Sequence, residues 1–192
     1  MKYGLTRVSG PASDPVSLAE AKAHLRVDSI DDDAMIVSYL LAARRHIEDI
    51  AGVAMRTQTF DLTLDQFPSG TVELPLPRYP LQSVISITYV DSVGAPQTWA
   101  ATNYQVDAKT IPGRVKPAPD ATWPSARVQM AAATVRFIAG YADADCPDEL
   151  RHAVLLLTAH LYENREPVNI GNIVNKIPFA VDALVAPFRL YC

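Results

Sequence analysis

The spacing of hydrophobic positions changes period twice along the chain: from about 3.6 to about 2 after Met55, and back after Cys146-Pro147. Pro11 and Pro15 keep residues 1–16 out of any helix, so they read as an extended arm. Ser17-Leu18-Ala19-Glu20 is a capping box, in which serine and glutamate side chains each take a free backbone amide. A short helix over 18–25 follows, with Leu18, Ala21 and Leu25 on one face. Asp31, Asp32 and Asp33 then suit a helix start, where acidic groups oppose the positive end of the macrodipole and can cap amides. The long helix predicted over 32–51 buries Ile36, Leu40, Ala43, Ile47 and Ile50, joined by Val37 and Leu41, and Gly52 stops it.

Between Thr57 and Asp65 apolar and polar residues alternate, which puts Phe60, Leu62 and Leu64 on one face of a strand. Further strands are predicted over 71–74, 84–90, 97–99, 104–107, 110–115 and 128–139. Val84, Ser86, Thr88 and Val90 share one side of the second of these. Most of the 15 prolines lie between Pro68 and Pro124, and they cut this region into short pieces. Helix returns over 148–163, with Leu150, Val154, Leu157 and Leu161 on its core face, and a short helix is expected over 179–185.

The fold class is therefore α+β. A small helical bundle formed by N- and C-terminal helices carries a β-rich insertion lobe. The expected division is 1–56 for the arm and first helices, 57–140 for the β lobe, and 141–192 for the last long helix and tail.

A net charge of −4 over 192 residues argues against bulk attraction to nucleic acid. The first residues lack the apolar stretch of a secretory signal, and no run approaches 18 uninterrupted apolar residues. A soluble cytoplasmic product with reduced thiols is expected. The two cysteines, Cys146 and Cys192, have neither metal-ligand spacing nor a disulfide framework.

No motif for catalysis is present: no nucleophile elbow and no Gly-rich phosphate loop. Cys146 precedes a helix, where thiol pKa values can fall, but a loop thiol is the simpler reading. His152 and His160 lie eight apart, whereas metal pairs on one helix prefer three or four. His160 and Glu163 satisfy that spacing with only two ligands, and surface histidines are preferred. Asp31–Asp33 lack the alternation of a calcium loop, and Asp143 and Asp145 precede a helix in the same way. No metal and no cofactor are expected. Arg44 and Arg45 have Glu48 and Asp49 four residues on, so ion pairs are preferred to DNA contacts.

The segment 178–191 is apolar although it lies near the chain end, where residues are usually polar and frayed. It either folds back on its own bundle or docks on another protein.

Taken in order, several stretches resemble the siphophage head–tail connector (adaptor) family, called gp6-like. They are Val16-Ser17-Leu18-Ala19-Glu20-Ala21-Lys22, His24-Leu25-Arg26-Val27-Asp28, Asp31-Asp32-Asp33 and Ala42-Ala43-Arg44. Leu64-Asp65-Gln66-Phe67-Pro68, Pro80-Leu81-Gln82-Ser83-Val84, Tyr104-Gln105-Val106-Asp107 and Ala139-Gly140-Tyr141 continue it. Leu161-Tyr162-Glu163-Asn164-Arg165-Glu166 and Leu184-Val185-Ala186-Pro187-Phe188-Arg189 close it. The resemblance implies a structural subunit of a tailed phage, not an enzyme. Copies would form a ring, a dodecamer, under the portal protein. The ring would extend the DNA channel and offer a platform to a stopper or tail-completion protein, with DNA passing through the lumen unread. The protein would reside in the virion neck and be assembled in the host cytoplasm, away from membranes. Carried onto this chain, the portal contacts are Phe179, Val181, Leu184, Phe188, Arg189 and Tyr191. Asp31, Asp32, Arg44 and Arg45 are candidates for the channel or for contacts between subunits. The other reading is a DNA-binding packaging or head-completion factor.

Overall fold

The computed structural model describes residues 2–142, 145–164 and 179–190. The chain divides into two compact units, Met1–Ala12 with Thr57–Tyr141, and Ser13–Arg56 with Ala142–Cys192. The first is built from strands and the second from helices, so the α+β class holds.

In the β unit, a five-stranded antiparallel sheet has the order β1(Tyr3–Ser9), β2(Gln58–Leu64), β8(Ala133–Ala139), β4(Leu81–Val90), β5(Pro96–Trp99). A smaller sheet has the order β3(Leu74–Pro75), β7(Arg114–Pro117), β6(Tyr104–Asp107). Alternation makes β2 and β8 central: Phe60, Leu62 and Leu64 are buried beside Val135, Phe137 and Ala139. Phe60 stands opposite Phe137, and their rings stack at 5.6 Å. On the other face Arg136 holds Asp61 with two bonds of 2.8 Å. Around Phe67 an aromatic cluster fills the rest of the core: Trp123 lies 5.0 Å from both Phe67 and Trp99, and Tyr104 stacks on Trp99 at 5.4 Å. The Trp123 indole N–H donates to the Val72 carbonyl at 2.8 Å, so the one polar atom of that ring is satisfied.

Five sequence expectations change here, one being that the strand expected over 71–74 shrinks to Leu74–Pro75. The arm is not loose: residues 3–9 form an edge strand that pairs with β2. β4 carries two bulges, between Leu81 and Ser83 and between Val84 and Ser86. Each slips the phase of alternation, so Leu81 and Ile87 are the buried residues rather than the even-numbered set. Residues 110–113 turn instead of extending, and β7 begins at Arg114. Residues 128–132 are also not strand, because the loop is held elsewhere: Arg127 N–H donates to the Val90 carbonyl at 2.8 Å, and Ala131 N–H to Asp65 at 2.9 Å.

The helical unit contains α1(Leu18–Leu25), α2(Asp33–Ala51), α3(Asp148–Glu163) and α4(Phe179–Val185). The Ser17–Glu20 box is formed: Ser17 N–H donates to Glu20 at 2.8 Å, and Glu20 N–H to the serine hydroxyl at 3.2 Å. Ile36, Leu40, Ala43 and Ile47 of α2 are buried in this unit, as are Leu150, Ala153, Val154 and Leu157 of α3. Gly52 ends α2 at φ +72°, and the Leu190 side chain packs so closely there that a Cβ would lie 2.8 Å from it.

Among these apolar side chains sit two charged ones, Glu48 (1% exposed) and Arg44 (3% exposed). Glu48 accepts from Met55 N–H at 3.0 Å and pairs with Arg44 at 3.3 Å. Arg44 Nε reaches Asp14 at 2.8 Å. We expect Glu48→Ala to cost about 3 kcal/mol, because it leaves the Met55 amide unpaired and takes from a buried guanidinium one of its partners, Asp14 remaining. Urea unfolding measures it, and a cost near zero refutes the assigned role.

The Ser17 amide and hydroxyl, and then Arg151, hold the Glu20 carboxyl below the usual glutamate range. A carboxyl depressed on folding adds stability that is full above its unfolded pKa and is lost as pH falls through the folded value. The urea midpoint is therefore expected to fall on acidification, and to fall less in Glu20→Gln.

Candidate functional site

The tail folds back onto its own unit. Val181 and Val185 are fully buried, and α4 packs on α3. Leu190 N–H donates to the Ala51 carbonyl at 3.0 Å, which ties the segment to the end of α2. Val181, expected from the family likeness to meet a portal, is thus occupied inside the unit, because the spacing of 181 and 185 puts both on the inner face of α4. Leu184, Phe188 and Arg189 are half-exposed. Arg189 is paired with Asp182 at 2.8 Å and bridges α4 to the turn Ala186–Phe188. The Phe179 side chain and Tyr191 lie outside the described residues, as does Cys192.

Asp31 and Arg45 are exposed, and Asp32 is half-buried. The expected capping by the aspartates is not what they do. Asp32 makes no side-chain cap bond and instead accepts from the Tyr162 hydroxyl. Asp33 pairs with Lys22 at 2.6 Å, and Asp31 accepts from Ser29. The Asp33 and Asp32 bonds tie the start of α2 to α1 and α3 respectively. Arg44, named as a channel or inter-subunit candidate, is corrected to a core residue: its guanidinium is enclosed between Asp14 and Glu48.

Burial pushes the Cys146 thiol up to about 11, and nearby Arg56 and Arg151 offset this only partly. At neutral pH it is a protonated thiol, not the lowered one of an activated nucleophile. A surface depression on the β unit is lined by Gln105, Val106, Asp107, Arg114 and Lys116. There Asp107 and Arg114 are 3.2 Å apart and neutralise each other. Among the described residues no three of His, Cys, Asp and Glu gather into a metal-binding group.

A surface that sequence reading missed is apolar and sits on loops. Val93 tips the β4–β5 turn, and Val128 and Met130 lie in the loop before β8 at 98% and 87% exposure. Arg127 packs against Gly94 and the Asp91–Ala126 bridge joins the two loops, so they share one end of the unit. Residues 127–131 are all exposed, so the burial pattern of β8 begins only at Ala132 and Ala133. Apolar groups gathered at one end of a unit are candidates for a contact surface.

Charge is divided unevenly. The β unit has eight basic against six acidic residues, and the helical unit nine against fifteen, leaving the latter at −6.

Residues 15–89 match the model of the phage gp6-like head-tail connector protein family. No curated protein matches the sequence. Among solved structures the chain is similar to one from the neck of a native gene transfer agent particle computed with C12 symmetry, with a TM-score of 0.79. It is similar also to chains from the neck of an empty particle computed with C6 symmetry and from the native virion, each with a TM-score of 0.78. In all three the identity is 27%, over 98% of this chain and 96% of the other. No described helix is long and apolar enough to cross a membrane. An α+β chain alike end to end with neck subunits is a structural component of a virion's head–tail junction. Its residues 15–89 are similar to the gp6-like head–tail connector proteins, and it is a structural connector subunit that joins head to tail in the virion neck.

Val128→Ser combined with Met130→Ser is expected to leave the Tm within about 2 °C, since both residues are solvated in the free chain. The same pair is expected to lower the yield of tailed particles. A normal yield, counted by electron microscopy, means the tip is not a contact.

Proposed function

We propose that copies of this chain assemble as a twelve-membered ring beneath the portal protein, extending the DNA channel and presenting a platform to a stopper or tail-completion protein. The observation that carries this reading is the likeness along 98% of the chain to a neck subunit in a structure computed with C12 symmetry. A ring needs two different surfaces per subunit, related by a rotation that closes. Many modest contacts made at once then give secure docking without one tight interface. The chain acts through such contacts and not by turning over a substrate.

For the portal contact, the outer side of the tail is the available surface: Leu184, Phe188 and Arg189, with Phe179 and Tyr191 continuing it in sequence. Val181 serves instead to hold the segment in place. Asp31, Asp32 and Arg45 are assigned to the channel wall or to contacts between neighbouring copies. Arg44 supports them from within. The acidic balance of the helical unit suits a wall that lets DNA slide past, and weighs against the alternative of a DNA-binding packaging factor, which requires phosphate neutralisation.

Leu184→Ser together with Phe188→Ser tests the portal surface and spares the buried valines. Binding to purified portal is expected to weaken by about tenfold or more with the circular dichroism unchanged. Unchanged binding rejects the tail assignment, and retention of DNA at moderate salt by the unmodified chain rejects the passive-channel reading.

A further inference from the structure

We propose that His24 and His152 form a two-imidazole site for a divalent transition-metal cation such as zinc or nickel, which pins α1 to α3. The two residues are 128 positions apart. Folding brings their rings to a centroid distance of 6.1 Å with planes at 86°. Both side chains are exposed, so water and ions reach them. With metal–nitrogen bonds of about 2.0–2.1 Å and about 1.1 Å more to each ring centre, two imidazoles on one ion place their centroids about 5–6 Å apart. The observed spacing needs only a small rotation of two solvated side chains to meet that geometry.

The surroundings favour a cation. Glu20 lies one turn before His24 in α1, and Asp148 and Glu149 lie one turn before His152 in α3. The nearby positive groups are Lys22, Arg26 and Arg151. Of these, Lys22 is held by Asp33, and Arg151 is held by both Glu20 and Asp148. Because no third ligand side chain joins the pair among the described residues, water completes the shell and binding is weak. Imidazole is the ligand type that suits zinc, nickel and copper rather than calcium or magnesium.

Such a site has mechanical value here. α1 has eight residues and buries only Ala21 among them. A helix this short is marginal without tertiary support. Its links to α3 are the Glu20–Arg151 pair and, just ahead of the helix, the bond from Arg151 Nε to the Pro15 carbonyl at 3.0 Å. A shared ion adds a third link between the same two helices.

The experiment is thermal unfolding of the full chain with zinc or nickel chloride up to about 1 mM, where binding to the folded state alone raises the Tm. A rise of a few degrees is expected, reversed by a chelator. The apparent affinity should fall at least tenfold in His24→Ala and in His152→Ala, and stay in His160→Ala. In parallel, nickel should broaden the ring signals of His24 and His152 in spectra of the unmodified chain. This readout does not depend on the variants folding. The proposal is overturned by the absence of any shift, by a shift that survives in the His24→Ala, His152→Ala double variant, or by broadening confined to His46 or His160.

Discussion

Inside the helical unit a carboxylate with almost no access to water, Glu48, has to be matched by hydrogen bonds and opposite charge, since an unmatched ion there is costly. Two of its partners lie on either side of it in sequence. Met55 N–H fixes the segment that leaves α2, and Arg44, one turn earlier, carries the charge to Asp14, ahead of α1. The group thereby sets where the chain enters and leaves this unit. The apolar stripes of α2 and α3, and the seat for α4 and Leu190 beside Gly52, pack around that arrangement.

The consequences reach the tail proposed above as the portal-facing surface. With Val181 and Val185 drawn into the unit, α4 can offer a partner only its outer side. Leu184, Phe188 and Arg189 are left half-exposed on a segment whose position is held by the buried valines. A docking surface carried on such a segment is pre-organised, which lowers the ordering cost of binding. The same economy holds at α2, where enclosed Arg44 supports a helix that displays Arg45.

The β unit solves a different problem. Its central strands, β2 and β8, are covered by neighbours on both sides, and its edge strand β1 is bulged near Arg7 and Ser9, which discourages uncontrolled pairing. Its apolar surface is placed instead on two loops at one end, at Val93, Val128 and Met130. The exposed apolar residues are thus kept apart from the sheet that gives the unit its stability, and a change in one need not damage the other.

Local chemistry made much of this readable from the residues alone. The Ser17–Glu20 box, the Gly52 stop and the 3.6-residue stripes involve neighbours within one turn, so the helices and the α+β class follow from the chain itself. So does the alternation of Phe60, Leu62 and Leu64. Only the tertiary structure decided the partner of residues 3–9, the bulges that reset β4, the burial of Arg44 and Val181, and the meeting of His24 with His152. Each of these depends on which distant segment arrives beside a residue, and a side chain has no preference for one distant neighbour until the core has closed around both.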